Sequence, residues 1–266
     1  MFEPAKPGLG WGVLHLLLKV DHAAVAHLPD GAAKQFASVL ERWQDTLQLH
    51  VFSALGHKAD VMLMALSDDL SQLRALQTDV AATSAAPAIA ITWSYLSLTE
   101  GSEYTSTPER YREEMADKGV TGEELDRRVE QFAERMASYT EAKLHPQMPD
   151  DWQLLCFYPM SHRREGSDNW YALDFEERKR LMAEHGKSGR AYTGRVLQLV
   201  SASTGLDDWE YGVSLFAHDL TDIKSIVYTL RYDEASVRYA EFGPFVIGIR
   251  REPADLVTEI GLDRRA

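Results

Sequence analysis

An α+β fold made of two similar halves is predicted by three observations: apolar runs of strand length, helical stripes between them, and the same order of elements on either side of a charged middle segment. At 266 residues and 30.0 kDa the chain is long enough for two hydrophobic cores. A hydrophobic content of 45% and a charged content of 26% are those of a folded chain.

The first half opens with a leucine-rich strand over 11–20. Phe36, Val39, Leu40, Trp43 and Leu47 then recur at helical spacing over 32–49. The runs 49–55 and 61–66, separated by Gly56, His57 and Lys58, read as a hairpin. Asp69 opens a second helix and 88–98 supplies a further strand. The second half repeats this order with a strand over 153–160, helix over 175–192, hairpin strands over 196–203 and 209–217, a helix from Leu220 and a strand over 242–249. Asp69-Leu70-Ser71-Gln72-Leu73 is echoed by Asp219-Leu220-Thr221-Asp222-Ile223, and Trp11 by Trp152. Strand, helix, hairpin, helix, strand is the ferredoxin-like plan, and two copies can pack their sheets together. The domains expected are 1–105, a helical connection over 106–150, and 151–266. In the connection, Thr121 and Glu124 form a capping box, Leu125, Val129, Phe132 and Met136 mark one apolar stripe, and the many charges make a solvated face.

Composition removes several classes of function. A net charge of −13 and a pI near 5.1 repel nucleic-acid phosphates and anionic lipid. Cys156 is the only cysteine, which excludes an internal disulfide and a multi-thiolate metal site. No stretch approaches the roughly 20 apolar residues of a membrane span, so a soluble cytoplasmic protein is expected. Walker A, Gly-x-Ser-x-Gly and His-Glu-x-x-His motifs are all missing from the sequence.

Two segments could carry chemistry. Tyr158-Pro159-Met160-Ser161-His162-Arg163-Arg164 leaves a strand at a proline and ends in a basic cluster, which on pattern alone is a solvated sheet edge. His185 lies near the end of the helix that follows Asp174, with Gly186 as its stop. A lone histidine there is either a surface residue complementing the helix dipole or a single axial ligand to iron.

The motifs that decide between these readings are Tyr158-Pro159-Met160, Asp168-Asn169-Trp170-Tyr171, Phe175-Glu176-Glu177-Arg178, His185-Gly186, Gly189-Arg190, Gly205-Leu206-Asp207-Asp208, Arg231-Tyr232-Asp233-Glu234 and Glu241-Phe242-Gly243. In order and spacing they resemble the coproheme decarboxylases of the chlorite dismutase superfamily. The match is dense over the second half; in the first half it rests on element order and Trp93-Ser94-Tyr95. The resemblance implies two ferredoxin-like domains forming a dimeric α+β barrel within one subunit, assembled as a homopentamer. It implies Fe-coproporphyrin III (coproheme) as substrate and redox centre, haem b as product, hydrogen peroxide as oxidant, and a ferrochelatase as the source of coproheme. Carried onto this sequence, it makes His185 the proximal iron ligand and Tyr158 the radical-forming tyrosine. Met160, His162, Trp170, Arg190, Gln198, Arg231 and Ser236 would hold the porphyrin and its carboxylates. Arginine suits that task because its rigid fork of donors matches a carboxylate.

The family's chlorite dismutases carry a distal arginine where the decarboxylases carry glutamine, and this chain has Gln198. The chain departs from the decarboxylases at His162, where lysine is usual, and at Leu144, near a usual arginine. A histidine at 162 would make carboxylate handling sensitive to pH near its reference pKa of about 6.5. Two other readings stay open: a chlorite dismutase or haem peroxidase, which chlorite would reveal, and a non-catalytic haem-binding or haem-transfer protein, which would leave coproheme unchanged.

Overall fold

The computed structural model describes residues 8–264. In chain order its elements are β1 (Leu9–Val20), α1 (His22–Val25), α2 (Ala32–Gln44), β2 (Gln48–Leu55), β3 (Val61–Ser67), α3 (Leu70–Ala81), β4 (Ile89–Glu100), α4 (Pro108–Asp117), α5 (Gly122–Leu144), β5 (Leu154–His162), β6 (Arg164–Glu165), β7 (Asp168–Asn169), a 3-10 turn (Trp170–Ala172), α6 (Phe175–Arg190), β8 (Val196–Ala202), β9 (Tyr211–Ala217), α7 (Leu220–Leu230), α8 (Glu234–Tyr239), β10 (Ala240–Phe242), β11 (Val246–Arg250) and α9 (Pro253–Glu259).

The chain divides into two compact units. Among the described residues, one contains 8–10 and Thr99–Gln147; the other contains Trp11–Leu98 and 148–264, and so holds both repeats. In the first unit α4 lies on α5, with Tyr111 stacked on Phe132 at 4.2 Å between ring centres and Arg112 paired with Asp126 at 2.7 Å. The predicted helical stretch is therefore two helices. Its capping box does not form: the Thr121 side chain makes no cap bond, and the Glu124 carboxylate is taken by Arg127 and Arg128.

In the second unit the strands run β10-β5-β11-β2-β3-β1-β4-β8-β9, and β9 pairs back onto β5. Each repeat contributes four strands in the same internal order, β2-β3-β1-β4 and β8-β9-β5-β11, and the two sets join into a closed ring. This is the expected α+β architecture, and closure leaves the ring without free edges. Alternation sorts the side chains. Val13 and Leu17 of β1 and Leu155 and Phe157 of β5 turn into the barrel, where they pack with Phe52, Met64, Tyr95 and Phe216. Leu14, Leu16 and Leu18 turn outward beneath α2, α3 and α9. Cys156 and Tyr158 turn outward on the second repeat, whose cover includes Ile223, Ile226 and Leu230 of α7.

The barrel interior also holds polar groups in pairs, with Ser97 and Ser201 hydroxyls 2.7 Å apart and His15 Nε2 3.1 Å from the Ser214 hydroxyl. Burial pulls His15 down to about 3, and burial with the Arg250 guanidinium pulls His50 to about 3. Both rings stay neutral in the folded state while the unfolded chain takes up protons near pH 6.5, so acid favours unfolding. Stability is expected to fall as pH drops below about 6.5, by up to about 2 kcal/mol per histidine between pH 7.5 and 5. Urea midpoints at the two pH values measure this; equal midpoints would contradict it.

Several boundaries differ from those read in the sequence. The first long helix stops at Gln44, and Gln48 already belongs to β2. The strand of 153–160 does not stop at Pro159 but runs to His162, with Pro159 opposite Gly212 on β9. The carbonyl of Pro159 accepts from Gly243 N–H at 2.9 Å, and a residue's amide and carbonyl point to the same edge. The missing donor of the proline therefore falls where β10 gives way to β11. For the same reason the strand of 242–249 is split. A Cβ on Gly243 would lie 2.6 Å from Pro159 Cγ and 3.0 Å from Trp209, so only glycine allows this approach. Among the described residues no helix is long and apolar enough to cross a membrane.

Candidate functional site

The outer face of β8, β9 and β5 carries three rows of side chains. Gln198, Leu215 and Cys156 stand in one row, Val200, Val213 and Tyr158 in the next, and Ala202, Tyr211 and Met160 in the third. His162 follows on the same face of β5. Helices cover this face over Val213 and Leu215, yet Gln198 is exposed and Val200 is 49% exposed in mid-strand. The helical cover is thus open over the end of the face nearest Gln198 and Val200.

Above this face runs α6. Asp174 caps it by accepting Glu177 N–H at 2.9 Å, and Glu176 and Glu177 add negative charge to its first turn. Gly186 does not end the helix, which continues to Arg190; the left-handed glycine beyond it is Gly194, at φ 82°. His185 is therefore one turn inside the helix rather than at its end. A Cβ on Gly189, four residues further on, would stand 3.1 Å from Gln198 Nε2, so Gln198 reaches across from the strand to the helix surface. The Arg190 guanidinium folds back to Gly186, next to His185.

His185 Nδ1 lies 3.2 Å from Asp233 Oδ2, close enough to attract but not aligned as a hydrogen bond. The other oxygen of Asp233 accepts from the Ser188 hydroxyl at 2.9 Å. Both His185 Nδ1 and Asp233 Oδ2 are shielded from solvent, while 30% of the His185 side chain is open. The imidazole thus turns Nδ1 inward and its remaining edge outward. Burial lowers the pKa of His185, against the opposite pull of Asp233, which favours a neutral ring. Asp233 appeared in the sequence only within a motif; its signal was the residue's position between α7 and α8, which chain order alone could not connect with His185.

Tyr158 is buried, stacked on Phe245 at 4.3 Å and meeting Phe242 edge-on at 5.8 Å. The break between β10 and β11 brings those two phenylalanines onto it from either side of Gly243. Burial raises the Tyr158 pKa, so the phenol keeps its hydrogen at neutral pH. His162 is not a solvated edge residue: its ring lies flat on buried Trp170 at 4.4 Å, and burial pulls it down to about 4 despite the nearby Glu210 carboxylate. Burial therefore moves its protonation well below the 6.5 expected from the sequence. The charge of His185 lowers the His162 pKa slightly further, so α6 and the end of β5 lie within electrostatic reach of each other.

The structure thus gathers Tyr158, Met160, His162, Trp170, His185, Arg190 and Gln198. Ser236 is buried on α8, and Arg231 caps α7, where it lies over the rings of Tyr228 and Tyr232 at 4.2 and 4.8 Å. Among the described residues no hydrogen bond, ion pair or ring contact joins Arg231 or Ser236 to Tyr158, Met160, His162 or Gln198. Leu144 ends α5, and its carbonyl accepts from the Thr99 hydroxyl at 2.6 Å.

The family model for chlorite dismutase matches residues 30–251. The chain belongs to the chlorite dismutase family. Over 97% of this chain and 98% of the other, it is 32% identical, with a TM-score of 0.79, to a structure described as a novel heme-binding protein from Thermus thermophilus. A point mutant of chlorite dismutase from Candidatus Nitrospira defluvii shares the fold at 18% identity and a TM-score of 0.71, with 95% of each chain covered. A putative chlorite dismutase, TA0507, shares it at 16% identity and a TM-score of 0.65, covering 94% of this chain and 99% of that one.

Proposed function

We propose that this member of the chlorite dismutase family is a coproheme decarboxylase, converting two propionates of Fe-coproporphyrin III to vinyls with hydrogen peroxide and releasing haem b. The observation that carries this reading is the placement of His185, backed by Asp233, above a strand face that presents Gln198 and Tyr158. Three features support an iron porphyrin as occupant. A single imidazole suits a metal that brings its own equatorial ligands. The carboxylate behind it can hold a proton on Nδ1, leaving Nε2 free to bind iron. The helical cover leaves Gln198 and Val200 open on an otherwise covered face. The relative from Thermus thermophilus, described as heme-binding, agrees with that occupant.

When bound, the iron porphyrin supplies the metal that reacts with peroxide and the oxidising power for the chemistry. Tyr158 gives up its phenolic hydrogen and takes one back from the propionate β-carbon; loss of carbon dioxide and a further electron leaves the vinyl. Per propionate, one peroxide and one proton are consumed and one carbon dioxide and two waters are formed. Burial between Phe242 and Phe245 keeps the Tyr158 ring fixed and shields it from side reactions. Gln198 offers a neutral amide and lacks the cation that would stabilise an anionic oxidant such as chlorite. Arg190, Met160, Trp170 and His162 hold the porphyrin and its carboxylates, with Arg231 and Ser236 contributing from the α7–α8 side. A cytoplasmic homopentamer supplied by a ferrochelatase completes the reading.

Chlorite separates this reading from the family's other chemistry. The haem-loaded protein is expected to release oxygen from chlorite at a rate at least about 100-fold below that of a chlorite dismutase assayed beside it. Comparable oxygen release at an oxygen electrode would move the protein to the chlorite dismutases.

A further inference from the structure

The sequence gives no role to Glu210, which lies just before β9 with its side chain only 8% exposed. A carboxylate so enclosed needs partners, and here they come from three elements. The Arg164 guanidinium on β6 binds Oε1 and the backbone N–H of His162 on β5 donates to Oε2 at 2.8 Å, while the Tyr171 hydroxyl from the 3-10 turn lies near the carboxylate and helps hold its pKa down. Burial raises the pKa of Glu210, but these hydrogen bonds outweigh it and keep the group ionised.

His162 Nδ1 lies 3.6 Å from the same Oε2, shielded from solvent and without another partner. The rest of the ring is pinned by Trp170, parallel at 4.4 Å, and by Tyr211, perpendicular at 5.4 Å. A lone pair on Nδ1 facing that oxygen would be repelled, whereas a proton there is attracted. The side chain nevertheless stays 13% exposed, and Nδ1 contributes none of that exposure. The groups facing the ring from each packed element are Glu210, Arg164, Tyr171, Tyr211 and, from α6, His185.

We propose that Glu210 is a positioning residue for carboxylate recognition: it holds the proton of His162 on Nδ1, so that Nε2 is the atom offered to a propionate of the porphyrin. The inference rests on the function proposed above. Arg164 neutralises Glu210, so an incoming carboxylate meets no net negative charge from the pair. Nε2 then carries a lone pair, so the propionate binds together with one proton taken up from solvent, which is shared between Nε2 and the propionate oxygen. Where the related enzymes use a lysine that needs no tautomer, this chain uses a histidine and a carboxylate that sets it.

The test has one readout without porphyrin and one with it. In ligand-free protein carrying ¹⁵N-histidine, NMR is expected to find His162 protonated on Nδ1, and Glu210→Gln to move the proton to Nε2. With porphyrin, Glu210→Gln should weaken coproheme binding by about tenfold and haem b binding by less than about threefold, because haem b lacks two of the propionates. His162→Phe should lose the same selectivity, and adding Glu210→Gln to it should cost nothing more. The pair Glu210→Gln with His162→Lys should restore coproheme affinity, since lysine needs no orienting carboxylate. A wild-type His162 protonated on Nε2, or an unchanged ratio of coproheme to haem b affinity in Glu210→Gln, would overturn the proposal. Should Glu210→Gln not fold, the wild-type tautomer and the His162→Phe ratio decide in the same way. Failure of the wild type to bind coproheme would instead count against the proposed function, and the ligand-free tautomer would still report on Glu210.

Discussion

Tyr158→Phe is expected to bind coproheme within about twofold of the wild type and to slow haem b formation by about a thousandfold or more, equal to ~4 kcal/mol of barrier. Phenylalanine keeps the ring that packs between Phe242 and Phe245, so the site keeps its shape. What it removes is the hydrogen that burial retains on the phenol at neutral pH. If Tyr158 were only a packing residue, losing one hydroxyl would cost about 0.5–1.5 kcal/mol of stability and leave the chemistry intact. The two outcomes are read by mass from the same reaction, as accumulation of coproheme or as the tricarboxylate and haem b. Wild-type rates in the phenylalanine variant would remove Tyr158 from the mechanism.

The second large effect belongs to His185. His185→Ala is expected to weaken coproheme binding by about 100-fold, ~2.7 kcal/mol, and to shift the absorption bands of the bound iron. The variant removes the imidazole proposed to bind iron and leaves Asp233, 16% exposed, with Ser188 as its remaining side-chain partner. Titration followed by absorbance measures both consequences at once. A spectrum and affinity equal to those of the wild type would show that His185 is not the ligand.

The fold was legible because each repeat announces itself by period. Strands with both faces buried read as apolar runs, and Asp69 and Asp219 cap matching helices by accepting from the amides two residues on, at 2.7 Å each. Ring closure was legible only through the family resemblance, because the pairing of β9 with β5 is a long-range fact that no local pattern encodes. Pro159 and Gly186 misled for one reason: each is a stop signal by local rule, and tertiary context overrode both. Pro159 places its missing donor at the β10–β11 break, and Gly186 keeps a helical backbone within α6. The candidate site was readable mainly through the family's motifs. Spacing alone could not distinguish His162 from a solvated edge residue, because its environment comes from Trp170, Tyr211 and Glu210 on three other segments. Glu210 and Asp233 were missed because acidic residues in turns are common and only folding brings them against the two histidines.

The measurement that tests the central claim most directly is the mass of the porphyrin recovered after the purified protein, loaded with coproheme, receives two or more equivalents of hydrogen peroxide. The expected result is stepwise loss of two carboxyl groups, each with its two hydrogens' worth of oxidation, ending in haem b, with no such conversion by peroxide and coproheme alone. Recovery of intact coproheme, or of ring-cleaved products without vinyl formation, would contradict the assignment.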